Sequence, residues 1–253
     1  GFLGQGNPQV TFVGPTDIAI ANNTGNIYIV DPEGDRVYGF APNGSLLVAF
    51  GTRGSGNGQF RFPSAVAVDE TRGRLIVADH DNFRIQVFTT AGVFIRTFGD
   101  RNKYPKVGPA EGWTPRTQGL TVDAQGRIYV ADAMMCTVRQ FDSNGVELAK
   151  LLHYGTAPGD LRTPCDLALN SNGTRLYVVS TNNSHVEMYT VAGFRGGDES
   201  APALCAEGSN WSLYDSLRLN DLGGTARLPW WPAPWDVGNG QGEYRTTYNG
   251  PHF

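Results

Sequence analysis

The sequence predicts an all-β fold in which copies of a four-stranded antiparallel meander stack side by side around an axis. Three observations predict it. A motif recurs at an almost constant period, its markers Asp31, Asp79, Asp132 and Ser180 lying 48, 53 and 48 positions apart. Within each copy, short apolar or alternating runs have the length and pattern of strands. The 33 glycines and 15 prolines among 253 residues leave no room for long helices.

The first copy runs Pro15-Thr-Asp-Ile-Ala-Ile, Gly25-Asn-Ile-Tyr-Ile-Val-Asp31, Arg36-Val-Tyr-Gly-Phe40 and Gly44-Ser-Leu-Leu-Val-Ala-Phe50-Gly. The second runs Pro63-Ser-Ala-Val-Ala-Val-Asp69, Gly73-Arg-Leu-Ile-Val-Ala-Asp79, Arg84-Ile-Gln-Val-Phe88 and Gly92-Val-Phe-Ile-Arg-Thr-Phe98-Gly. The third holds Gly119 to Asp123, Gly126 to Asp132, Val138 to Phe141 and Gly145 to Leu151. The fourth holds Pro164 to Leu169, Gly173 to Ser180 and His185 to Tyr189. Asn43-Gly44, Ala91-Gly92, Asn144-Gly145 and Asn172-Gly173 separate successive runs and supply the positive φ of tight hairpins. One meander cannot bury both faces. Radial stacking lets each copy cover the next, which is a β-propeller. The small-centred Ile-Ala-Ile and Val-Ala-Val runs suit an inner strand beside a crowded channel. A solenoid of the same strands is the runner-up.

The pattern Pro-x-[Gly/Asp]-[Ile/Val/Leu]-Ala, then Gly-x-[Ile/Leu]-Tyr-Val-Ala-Asp, then Arg-Ile-Gln-Val-Phe, then Gly…Phe-Gly resembles the NHL repeat. Phe60 to Gly99 follow it almost position by position, and Gly54 to Phe60 resemble its interblade spacer. The resemblance covers about residues 15–190, four regular blades. It implies a ring of six blades, sometimes five. Closure then falls to the irregular C-terminal segment, to a partner or to sequence beyond this chain. Gly1 to Gly6 resemble the end of a preceding repeat, and the chain starts at Gly1 with no signal peptide in view, so it reads as processed or cut from something longer.

Residues 1–193 are therefore read as propeller blades, and 194–253 as an irregular Trp- and Pro-rich segment that closes the ring or docks a partner. Within it, Trp211 to Leu219 reads as a strand or a short helical turn. Leu228-Pro-Trp-Trp-Pro-Ala-Pro-Trp-Asp236 excludes a helix interior and favours extended backbone. Trp230, Trp231 and Trp235 are candidate partner contacts, because tryptophan dominates interface energetics. The lengthened Asp100 to Gly112 segment is a second candidate. It mixes Arg101, Lys103 and Lys106 with Tyr104, and Trp113 follows.

Composition narrows the function. The net charge of −4, with Lys and Arg scattered singly, leaves no phosphate-neutralising stripe and argues against nucleic acid. No apolar run approaches the ~18 residues of a membrane helix. Sparse Lys with abundant Gly, Asn, Thr and Trp leans toward an extracellular or periplasmic protein. The sequons at Asn22, Asn43, Asn172, Asn182 and Asn210 read either as glycan sites or as Asn-rich turns. Cys136, Cys165 and Cys205 allow one disulfide or three free thiols.

Propellers place ligands at the inner-strand entries, here Thr16-Asp17, Ser64-Ala65, Gln118-Gly119 and Cys165-Asp166. Asp17 and Asp166 fall at equivalent positions and are the candidate ligands for a hard cation such as Ca²⁺; otherwise each accepts backbone N–H groups. In the resembling peptidyl-hydroxyglycine amidating lyases, zinc-binding histidines follow the inner-strand proline. The matching Thr16, Ser64, Gln118 and Cys165 are not histidines, which argues against that activity. His80, His153, His185 and His252 share no repeat position. Asp31, Asp79 and Asp132 recur at one spot, which marks architecture. No nucleophile elbow, P-loop or HExxH is present. The expected function is non-enzymatic: a scaffold presenting loops to a protein or polymer, or assembling with copies of itself, as in an extracellular assembly. The expected cofactor is none, with Ca²⁺ as the exception. A metal-dependent lyase or hydrolase of the six-bladed propeller group is the alternative.

Overall fold

Each of the four recurring motifs folds as one four-stranded antiparallel sheet, and strands follow one another in chain order within it. The computed structural model describes residues 10–99, 116–151, 154–155, 160–191 and 211–218. Blade one comprises β1 (Asp17–Ile20), β2 (Ile27–Asp31), β3 (Arg36–Phe40) and β4 (Leu46–Phe50). Blade two comprises β5 (Pro63–Asp69), β6 (Arg74–Asp79), β7 (Arg84–Thr89) and β8 (Phe94–Phe98). Blade three comprises β9 (Thr117–Val122), β10 (Ile128–Asp132), β11 (Thr137–Phe141) and β12 (Glu147–Leu151). Blade four comprises β13 (Pro164–Leu169), β14 (Arg175–Ser180), β15 (His185–Val191) and β16 (Trp211–Arg218). The strand alternative for Trp211 onward is the one the chain adopts, and it supplies the outer strand of blade four.

The blades stand in a propeller arrangement, their inner strands in sequence: β5 touches β1 and β9, and β9 touches β13. In blades two and three the second and third strands lie between neighbouring blades, and in blade one Val10 and Phe12 of the preceding segment cover the face away from blade two. That is why β2, β6, β7, β10 and β11 are near-continuously buried runs instead of alternating ones. Between blades one and two, Phe88 packs on Phe50 at 4.8 Å, Phe60 at 5.6 Å and Phe94 at 5.9 Å between ring centres. The next interface repeats the arrangement with Phe98 and Phe141 at 5.1 Å.

Two backbone features recur blade by blade. The residue before each third strand is left-handed although none is glycine: Asp35, Phe83, Cys136 and Ser184, with φ between 50° and 55°. The carboxylate or hydroxyl ending each second strand holds the segment that leads into the inner strand of its own blade. Asp31 accepts the N–H groups of Val13 and Gly14, Asp79 that of Arg61, Asp132 that of Arg116, and Ser180 Oγ that of Arg162. The expected bond to the following turn is present too, from Gly34 N to Asp31 and from Met134 and Met135 N to Asp132.

Candidate functional site

The antiparallel order puts the start of every inner strand, the end of every second strand and the interblade connections along one edge of the blades. Blade two shows how this edge is built. Asn82 donates to Gly54 O at 2.8 Å, and Arg84 donates to Gly56 O and Gln59 O at 2.8 and 2.9 Å. The connection is thus tied down by the β6–β7 turn and β7. Blade four uses Asn183 in the same way, on Gly155 O and Asp160 O.

The inner strands line a channel of about 780 Å³, with β1, β5, β9 and β13 all contributing to its wall. Ser64 Oγ donates to Thr117 O at 2.7 Å and Thr16 Oγ1 to Ser64 O at 3.4 Å, stitching successive blades together. Cys165 Sγ points to Val179 O at 3.7 Å, and burial pushes its thiol up to about 11. Gln118 Nε2 meets His80 Nε2 at 3.2 Å, and His80 Nδ1 lies 2.7 Å from Asp81 Oδ1. His80 is therefore held by side chains of its own turn and of the next blade. Cys136 and Cys165 are free thiols. Cys205 lies outside the described residues.

Asp17 and Asp166 both line this channel. Asp17 accepts N–H groups from Ile18 and Val66, and Asp166 accepts that of Leu167, each at 2.8 Å. Burial is the main reason Asp17 titrates at about 6, and the charge of Asp166 adds to the rise. Burial likewise raises Asp166 above the usual carboxylate range. Among the described residues no three or more His, Cys, Asp or Glu side chains cluster to hold a metal. Arg101, Lys103, Tyr104, Lys106, Trp113, Trp230, Trp231 and Trp235 lie outside the described residues, as do His153 and His252.

The lengthening read from the sequence falls in the β8–β9 connection, which spans 18 residues where β4–β5 and β12–β13 span 12. One feature of the connection edge is absent from the sequence reading: the β10–β11 turn exposes Met134 and Met135, 61% and 52% accessible. Met135 stands where blades two and four carry Asn82 and Asn183. The signal was available only by laying the repeats on one another. Met-Met in an isolated polar loop is otherwise unremarked. Tyr154, 63% accessible and covered on one side by the Arg162 guanidinium at 5.2 Å, adds a further exposed aromatic on the same edge.

Residues 60–88 match the model of the NHL repeat. No curated protein matches the chain. Among solved structures, hydrazine synthase of Kuenenia stuttgartiensis is similar with a TM-score of 0.51 and 16% identity, over 76% of this chain and 49% of that one. A nidogen/laminin complex gives 0.50 and 15%, over 69% and 59%. A virginiamycin B lyase from Staphylococcus aureus, catalytically inactive and solved with quinupristin, gives 0.51 and 14%, over 72% and 54%. The chain spans between 49% and 59% of these three, and at such identities the likeness is one of fold. No helix among the described residues is long and apolar enough to cross a membrane.

Proposed function

We propose that this NHL-repeat propeller is a binding scaffold, not an enzyme, and that the connection edge of blade three meets a protein partner in an extracellular or periplasmic setting. The observation that carries the reading is the exposed Met134–Met135 pair, whose second residue stands where blades two and four place asparagines that tie down the chain. Methionine is a flexible, polarisable contact residue suited to such a surface, and loops on a rigid scaffold are where recognition concentrates. A photo-crosslinking residue at position 135 is expected to trap a partner in native extract, while one at the exposed Thr71, on the opposite edge, traps none. Equal labelling from both positions, or none from 135 in a folded protein, would remove the reading.

The sharing of one channel by Asp17 and Asp166 favours a second reading, a metal-dependent lyase or hydrolase of the six-bladed propeller group. Its support is confined to two carboxylates, and a calcium site takes six or more oxygens. Elemental analysis of the purified native protein decides: stoichiometric calcium or zinc favours the enzyme.

A further inference from the structure

We infer that blade three carries a receptor for a guanidinium group, centred on Asp132, and that the partner proposed above fills it with an arginine side chain. The inference rests on that proposal for the source of the arginine and on the comparison of two blades for the site itself.

In blade two the equivalent carboxylate is fully paired. Asp79 takes Arg84 Nε at 2.7 Å, Asn82 Nδ2 at 2.9 and 3.0 Å, Gln86 Nε2 at 3.0 Å and the Arg61 amide at 2.8 Å. The guanidinium also gives two bonds to connection carbonyls. In blade three all three side-chain donors are replaced, by Thr137, Met135 and Arg139 respectively. Arg139 turns away into a two-pronged pair with Glu147, at 2.8 and 2.6 Å. Asp132 is left with backbone amides, from Met134 and Met135 to Oδ1 and from Arg116.

Asp132 is completely buried, yet its Oδ2 has no hydrogen-bond partner among the described residues. The same holds for Oγ1 of Thr117, its cross-strand neighbour, which is 1% accessible. A buried carboxylate oxygen and a buried hydroxyl left unbonded side by side are costly. Burial also holds Asp132 above the usual carboxylate range. Blade three has kept the anion and lost the cation bonded to it, Arg139 acting on Asp132 through its charge while it bonds Glu147, and blade two shows which cation this framework accepts. Guanidinium suits the site better than ammonium because its planar fork can bond Oδ2 and a second acceptor together. The aliphatic stem of an arginine would lie along Met134 and Met135 at the exposed rim.

The test uses the whole chain and N-ethylguanidinium as probe, read by thermal unfolding. At about 10 mM probe the wild-type midpoint is expected to rise by about 2–4 °C if the dissociation constant is near 1 mM. T137R, which restores the blade-two arginine, should melt higher than wild type and show no response. D132N should also show none. The inference is overturned if wild type does not respond, if T137R responds as wild type does, or if ethylammonium or Ca²⁺ gives an equal rise. If D132N does not fold, T137R alone decides. Loss of the response with retained crosslinking at position 135 would remove the arginine and leave the partner surface standing.

Discussion

Asp17 holds two blades with one carboxylate: Oδ1 accepts the N–H of Ile18 in its own strand, and Oδ2 accepts that of Val66 in blade two, each at 2.8 Å. These bonds favour the charged form, but burial outweighs them and lifts the carboxyl from 3.8 to about 6. The folded state therefore binds this proton more tightly than the unfolded chain does. The contribution to stability is complete below the unfolded value and is lost as pH rises through the folded one. Relative to D17N, the wild type is expected to lose about 2–3 kcal/mol between pH ~4 and ~7. Urea unfolding of both proteins across that range checks it, and a constant difference would contradict the assignment.

Arg84 and Asp79 are 5% and 0% accessible and bonded at 2.7 Å. Removing one partner strands the other's charge in the interior. R84A is expected to cost about 3–5 kcal/mol. D79A/R84A should cost less than the sum of the single changes, because the second substitution removes the stranded charge. Denaturant unfolding of the four proteins in the cycle measures this coupling.

Gly119 allows β9 and β13 to approach. A Cβ there would lie 2.7 Å from the Asp166 Cα and 3.1 Å from the Cys165 carbonyl oxygen. Backbone cannot swing aside as a side chain can. G119A is expected to destabilise by about 1–3 kcal/mol through overpacking. Hydrogen exchange should show lost protection in β9 and β13, with β1 and β2 unchanged. Uniform loss would mean that the effect is not local.

Ser184 is exposed and left-handed at φ 55°. Glycine removes the Cβ strain without loss of packing, although it also frees the unfolded chain. S184G is expected to raise stability by up to about 1 kcal/mol. The urea midpoint should rise with an unchanged slope. A fall would show that the serine hydroxyl contributes more than the strain costs.

The meanders were legible because their determinants are local: Asn43-Gly44 or Asn144-Gly145 sets a hairpin, and the apolar run before it sets a strand. Partners distant along the chain were less legible. Asp79 announces a strand end, but not that it captures the amide of Arg61, 18 residues earlier. His80 reads as a turn residue, and its partner Gln118 belongs to the next blade. β16 begins at Trp211, well past the end of β15 at Val191, where the motif has faded. That Asp132 Oδ2 lacks the guanidinium bond that Asp79 has becomes visible only when Thr137 is compared with Arg84.

The latches from Asp31, Asp79 and Ser180 to Val13, Arg61 and Arg162 each span 18 residues of chain. A contact that close in sequence can form soon after its residues leave the ribosome, and closing so short a loop costs little entropy. Stitches between blades, such as Ser64 to Thr117, span 53 and can form once the following copy has emerged. Folding should therefore advance in the direction of synthesis, each finished unit serving as a template for the next, without waiting for the far end of the polypeptide.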